Sequence, residues 1–380
     1  MKNITKILCA ALAVAMLLTG CSMPKIVLPG TPDVAATYGD GQTISTGEYL
    51  AYLYLNFEQV YSSYSSYASY GIDPWTSEYC QIPYDTASGE TVNLDLETYI
   101  DRVTEDYIKQ NIVVEQMMKD NNLSLIADEE KEIDADLAEM ADNAYLAAGF
   151  SNENFAKAYK ALTLTQRSAF FGLYGEGGPK AVAESEIRKY FDTNYLSYKI
   201  ITVSLTKTTT KDDGSTETVA LTADEKAAEL KKLNEYLTIC NDKGFEAAMD
   251  AYNKANAKEG DKIEASKDED NRINADATEM DEKLVKAIRS VAVGKAAVVE
   301  YGGEAATADK KATENTTAAL ILRMDTNKPD TVYADAKENI LISLKSEEFE
   351  KLVDEAVAAL NITFNEKVMK KCSPKDFVIE

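Results

Sequence analysis

Residues 198–205 read Tyr-Lys-Ile-Ile-Thr-Val-Ser-Leu, and they mark the point where the hydrophobic period of the chain changes. Before this stretch, apolar residues recur every three or four positions, which is typical of helices. Within the stretch, β-branched residues predominate, which predicts a strand. Asp213-Gly214 then lies between two threonine-rich arms, a pattern typical of an exposed hairpin. The chain therefore combines a helical part with an α+β part.

The residues after the hairpin predict a compact α+β domain. A capping box at Thr222 opens a long helix. The segments Phe245–Tyr252 and Met280–Val291 are typical of two shorter helices. Residues 318–324, Ala-Ala-Leu-Ile-Leu-Arg-Met, predict a closing strand. We expect residues 195–328 to form this domain.

Helical patterns flank the domain on both sides. Residues 34–194 predict a short strand and then a series of helices, with a turn-rich loop over 70–96. On the other side, residues 331–360 predict one long helix with an apolar stripe.

The first 21 residues have the form of a bacterial export signal. Lys2 and Lys6 precede the apolar run Ile7–Leu18, which is too short to span a bilayer. Leu18-Thr19-Gly20-Cys21 resembles the lipobox, in which cleavage precedes a cysteine that becomes lipidated. We expect a lipid on Cys21 and a location at the outer face of a bacterial cell membrane. Residues 22–33 are rich in proline and are expected to be a linker.

Charge and composition exclude several classes of function. The 380 residues include 64 acidic and 40 basic side chains, a net charge of −24, which disfavours nucleic acid as a partner. The chain has no histidine, so it alone makes no Ser-His, Cys-His or histidine–metal site. Cys80, Cys240 and Cys372 lie far apart without metal-ligand spacing, and we expect them to be idle thiols. We expect no cofactor.

The order of these segments resembles that of the PrsA/SurA-type extracytoplasmic foldases, which carry parvulin-like peptidyl-prolyl isomerase domains. The similar segments are Val34–Leu50, Ser185–Tyr195, Lys199–Val203, Phe245–Tyr252, Met280–Gly294 and Leu320–Met324. The resemblance implies a mostly helical SurA-like chaperone body with an inserted parvulin-like α+β domain. It implies that residues 329–380 return to pack on the N-terminal helices. It also implies a folding factor for unfolded or partly folded exported proteins.

The resemblance further implies where catalysis would occur. The family carries a histidine on each of two parvulin strands, and here these positions are assigned to Ile200 and Leu320. Two aliphatic side chains supply none of the hydrogen-bonding groups of imidazole, so we expect isomerase activity to be lost or carried by an apolar slot for proline. The candidate slot residues are Ile200, Thr202, Met280, Leu284 and Leu320.

Two alternative functions remain open. The first is an active isomerase with unusual catalytic groups, for which Thr202, Ser204 and Cys240 are the nearby polar candidates. The second is a solute-binding lipoprotein of a transporter, which would need two α/β lobes with alternating strands and helices.

A series of tyrosines offers a candidate surface for clients. Tyr61, Tyr64, Tyr67 and Tyr70 recur at every third position with serines between them. An aromatic face with polar tips is suited to holding unfolded chains loosely. The alternative is that these rings belong to the core of a helical body.

Overall fold

A computed structural model describes residues 30–86, 89–140, 148–211, 214–258, 262, 264–303 and 315–377. The expected signal sequence and lipidated Cys21 lie outside these residues. The described chain forms two compact units. The first comprises the residues up to Val182 together with those from Leu341 onward, and the second is Ala183–Ile340.

The first unit begins with a hairpin and continues as helices. Strands β1 and β2 pair antiparallel. The hydroxyl of Ser45, at the end of β2, then accepts the backbone N–H of Glu48 and caps the next helix. The elements are β1 (Val34–Tyr38), β2 (Gln42–Ser45), α1 (Thr46–Tyr61), β3 (Ile82–Asp85), β4 (Thr91–Leu94), α2 (Leu96–Asp120), α3 (Ala127–Ala138), α4 (Asn152–Lys160) and α5 (Gln166–Tyr174).

The segment expected to be a turn-rich loop contains regular structure. Short 3-10 helices cover Ser65–Tyr70 and Glu78–Cys80. A two-stranded hairpin of β3 and β4 follows. The prolines and glycine of this stretch are compatible with both, because short turns and edge strands tolerate them.

The second unit is built around a sheet with helices on both faces. Its elements are α6 (Glu184–Asn194), β5 (Tyr195–Ser204), β6 (Thr206–Thr210), β7 (Thr216–Ala220), α7 (Ala223–Lys243), α8 (Phe245–Asn256), α9 (Asp268–Asn271), β8 (Ile273–Asp276), α10 (Glu282–Ser290), β9 (Ala296–Tyr301), β10 (Thr317–Arg323) and the start of α11 (Thr331–Ala359). The expected hairpin is β6 with β7. Four strands form the sheet in the order β8-β5-β10-β9, and every neighbouring pair is antiparallel.

The last described residues return to the first unit. Strand β11 (Ile362–Phe364) pairs antiparallel with β1, and α12 (Glu366–Met369) follows it. Phe377 is buried, with its ring centroid 5.3 Å from that of Tyr54 and 5.5 Å from that of Phe57. The first unit is thus made from both ends of the described chain, and the expected α+β class with a largely helical body is confirmed.

The boundaries between the two units lie at other positions of the chain than those expected from the sequence. Helix α6 and residues 329–340 belong to the second unit, whereas we assigned them to the helical body. The reason is aromatic packing. The ring centroid of Phe191 lies 5.0 Å from that of Tyr195 and 5.0 Å from that of Tyr333, which joins both segments to β5. Within the described residues, no helix is long and apolar enough to cross a membrane.

Candidate functional site

A groove of about 270 Å³ opens between α1, β3 and α2 of the first unit. Helix α2 contributes Tyr99, Val103 and Tyr107, which follow one another at four-residue steps and so share one face. The opposite wall comes from the end of α1 and the residues just after it. Its members are Asn56, Gln59, Val60, Ser63 and Tyr64, and Ile82 of β3 completes the lining.

Three tyrosine rings make this groove both aromatic and polar. Within the described chain, the hydroxyls of Tyr64, Tyr99 and Tyr107 have no hydrogen-bond partner. Burial raises the pKa of each of the three phenols, so each hydroxyl keeps its proton at neutral pH and can donate a hydrogen bond. Half-buried tyrosines usually direct the hydroxyl to a partner, so these three are available to a ligand.

Only one of the four predicted client-binding tyrosines lines the groove. Helix α1 ends at Tyr61 and a 3-10 turn covers the later residues, so the series does not form one helical face. Tyr61 stacks on Phe57 and on the single tryptophan, Trp75, at centroid distances of 5.0 and 5.2 Å.

The other predicted tyrosines lie elsewhere. Tyr67 stacks on Tyr64 with a centroid distance of 6.2 Å, and Tyr70 is 81% exposed. Tyr99 and Tyr107 were missed, although their spacing on a helix with Val103 between them was readable in the sequence.

The predicted proline slot in the second unit is not assembled. Ile200, Met280 and Leu284 pack together against Ile288, on the sheet face covered by α10. Leu320 packs with Ile201 on the opposite face, under α7 and α8. Leu320 pairs with Ile201 and not with Ile200 in the strand register, so Ile200 and Leu320 cannot line one cleft. Thr202 is exposed.

The polar groups considered for an active isomerase are also separated. Thr202 and Ser204 alternate with Ile201 and so point away from the face that carries Cys240. The hydroxyl of Ser204 is engaged locally and donates to the carbonyl of Thr206 at 2.9 Å. Burial raises the pKa of the Cys240 thiol, which therefore stays protonated and weakly nucleophilic.

Lys199 of β5 lies on the same sheet face as Ile201 and Leu320. It is only 1% exposed, and its ammonium forms ion pairs with Glu246 of α8 and Asp268 of α9. The nitrogen also lies 5.8 Å from the ring centroid of Phe245. This arrangement was not predicted from the sequence, because a lysine within an apolar strand is usually exposed.

The carboxylates of the described chain are not arranged as a metal centre. No group of three or more acidic or cysteine side chains in the described ranges could hold a metal ion. Asp268, in the acidic stretch before β8, is bound instead to the ammonium of Lys199.

No family model matches the chain, and no curated protein matches it. The chain is similar to solved PrsA foldases. The foldase PrsA of Streptococcus pneumoniae is 14% identical, with 76% of this chain and 93% of that chain covered and a TM-score of 0.32. That of Lactococcus lactis is 14% identical, with 76% and 91% covered and a TM-score of 0.30.

A third similar structure is PrsA of Bacillus subtilis. It is 18% identical, with 76% of this chain and 91% of that chain covered, and its TM-score is 0.19. These structures belong to the kind of protein that the order of segments resembles. At such identities and TM-scores, the role of each residue has to rest on the geometry of this chain alone.

Proposed function

We propose that this protein is a lipid-anchored folding factor at the outer face of a bacterial membrane. It holds unfolded or partly folded exported chains in the groove of its first unit. The observation that carries the proposal is the groove itself, where the hydroxyls of Tyr64, Tyr99 and Tyr107 have no partner in the described chain. The signal-like residues up to Cys21 support the location, and they lie outside the described residues.

The size and chemistry of the groove suit weak, general binding. Its volume of about 270 Å³ accommodates a few side chains of an extended segment. Aromatic rings bury apolar surface of any sequence, and the hydroxyls replace some hydrogen bonds that a client backbone loses to water. Such binding retains many clients without selecting one of them.

The second unit supports a holding role without catalysis. The face of its sheet that contains Leu320 has a buried ammonium, Lys199, already paired with two carboxylates. That charge is neutralised by its own neighbours, and two of its three N–H donors are engaged by the carboxylates. We therefore propose that prolyl isomerase activity is absent.

The sheet geometry argues against a solute-binding lipoprotein. Doubly wound α/β lobes are built on parallel strands joined by helices. In the described parts of both units, every paired strand is antiparallel to its neighbour.

Suppression of aggregation tests the holding role. The chain from Ser22, without Cys21, is added to a chemically denatured client on dilution, and light scattering is followed. We expect scattering to fall, and the effect to weaken in the double variant Tyr99→Ala, Tyr107→Ala. The control Tyr79→Ala removes a tyrosine that is 81% exposed outside the groove and should behave as the parent. Full suppression by the double variant would overturn the assignment of the groove.

A proline-limited refolding assay tests the loss of catalysis. Isomerisation of prolyl bonds is slow without a catalyst, so acceleration at substoichiometric amounts is readily seen. We expect the refolding rate to be unchanged. An acceleration would instead favour the active isomerase.

A further inference from the structure

The distance between the two tyrosines of α2 that line the groove determines how long a segment must be to contact both. Tyr99 and Tyr107 are separated by eight positions on one helix. At ~1.5 Å of rise per residue, their Cα atoms lie about 12 Å apart along the axis. A polyproline II segment rises ~3.1 Å per residue, so about four of its residues span this distance. The separation of the two tyrosines thus equals the length of slightly more than one turn of polyproline II.

The groove offers hydrogen-bond donors, and these suit a bound segment whose backbone carbonyls have no internal partner. Besides the three phenols, Gln59 and Ser63 line the groove and can donate through an amide and a hydroxyl. A polyproline II segment makes no internal hydrogen bonds, so its carbonyls are free to accept. Proline has no N–H, so it requires no acceptor from the groove.

The uncharged side chains that line the groove in the described chain also favour a neutral, extended segment. Among the described residues that line the groove, none carries a formal charge. A charged client side chain would be desolvated there without a counter-ion, which is unfavourable. A neutral, already extended segment also loses less conformational freedom on binding than a flexible one does.

We propose that the groove of the first unit selects extended, proline-rich client segments in the polyproline II conformation. The inference rests on the proposed holding function and specifies the class of segment that the groove holds. It locates proline recognition on the helical unit and not on the sheet of the second unit. Aromatic rings with nearby donors are the general means of binding this conformation.

Peptide binding tests the proposal on the chain from Ser22. The probe is a short fluorescent peptide in which two prolines alternate with one leucine, and the control peptide has alanine in place of each proline. We expect the proline peptide to bind at least about tenfold more tightly in fluorescence anisotropy. Tyr99→Phe deletes a single hydroxyl and should weaken that binding by about three- to tenfold. The control Tyr70→Phe deletes a hydroxyl on an exposed ring and should leave it unchanged.

Two results would overturn the proposal. One is equal binding of the proline and alanine peptides. The other is tight binding of the proline peptide that Tyr99→Phe and Tyr107→Ala do not affect, which would place the site outside the groove. Either result, combined with intact suppression of aggregation by the parent chain, removes the proline preference and leaves the holding function standing. Loss of suppression as well would remove both.

Discussion

At the scale of the residue, Lys199 and its partners form a buried ion pair with unequal exposure. The lysine side chain is 1% exposed, whereas those of Glu246 and Asp268 are 30% and 73% exposed. Removing a carboxylate leaves a buried charge with less compensation, while removing the lysine leaves carboxylates that water can reach. The two kinds of substitution therefore have different costs.

We expect Glu246→Gln to lower the free energy of unfolding by about 2 kcal/mol, because it leaves the buried ammonium with only an exposed partner. Lys199→Met should cost less, since methionine fits an apolar site beside Phe245. Lys286→Met, at an exposed lysine of α10, is the matched control and should be neutral. Urea denaturation measures all three. A greater loss for Lys199→Met than for Glu246→Gln would contradict this account.

Asp101 of α2 is a second, partly buried carboxyl, and it forms no ion pair within the described residues, although the charge of Arg102 acts on it. One of its carboxylate oxygens is buried without a hydrogen-bond partner in the described chain. Burial raises the pKa of Asp101 to about 7, and the nearby negative charges of Glu97 and Glu105 add to this effect. In the unfolded chain the same carboxyl loses its proton near pH 3.8, the ordinary value.

This difference predicts a pH dependence of stability. Between about pH 4 and pH 7 the folded state binds a proton at Asp101 that the unfolded state has lost, so stability falls as pH rises through this window. Asp101→Asn should raise the free energy of unfolding by about 1–3 kcal/mol at pH 8 and have little effect at pH 4. Asp120→Asn, at an exposed aspartate of the same helix, should leave the free energy of unfolding unchanged at both pH values. Equal effects of Asp101→Asn at both pH values in urea titrations would contradict the pKa assignment.

At the scale of the element, the C-terminal segment completes the core of the first unit. Beyond β11, it inserts Phe377 between the rings of Tyr54 and Phe57 of α1. Val368 and Cys372 of the same segment are fully buried in that cluster. The segment therefore stabilises α1, which forms one wall of the groove.

We expect Phe377→Ala to lower the free energy of unfolding by about 3–4 kcal/mol, as deletion of a buried ring does. Thermal denaturation checks this, and Tyr70→Ala at an exposed ring should change the midpoint little. A near-zero effect of Phe377→Ala would mean that the segment is dispensable for the fold.

The sequence revealed long elements better than short ones. Strand β5 was predicted from its β-branched residues and α11 from its apolar stripe, and the hairpin of β6 and β7 was predicted from the Asp213-Gly214 turn signal. Strands β8 and β9 were missed because Ile273–Asp276 is half polar and Ala296–Tyr301 opens with two alanines, which are depleted in strands. Strand β11 has three residues, which are too few for their alternation to be recognised as a strand in the sequence.

The candidate sites were less accessible to sequence reasoning than the elements were. Which face of the sheet a residue occupies depends on register, and the sequence did not show that Ile200 and Leu320 lie on opposite faces. The pairing of Lys199 with Glu246 joins residues 47 positions apart, which no local pattern reports.

At the scale of the whole molecule, the net charge of −24 bears on the proposed holding function, because it would act on a client before contact. Such a charge attracts positively charged unfolded chains over distances comparable to the Debye length and repels acidic ones. Charge therefore influences the rate of capture more than the strength of holding.

We expect the association rate with a basic unfolded client to fall at least about tenfold between low salt and ~0.5 M salt, because the attraction is screened. An acidic client of similar length serves as the control, and its association should be equal or faster at high salt. Stopped-flow fluorescence gives both rates. A salt-independent rate for the basic client would show that the acidic surface has no part in capture.

The pairing of β1 with β11 has a consequence for the timing of maturation. The carbonyl of Val34 accepts a hydrogen bond from Asn365, 331 residues later in the chain. A chain that emerges from an export channel N-terminus first exposes the edge of β1 long before its partner arrives. Closing so long a loop is slow and has to wait for synthesis to end. Under the proposed function, the protein would become able to hold clients only after its own export is complete, and until then it would itself be an unfolded client.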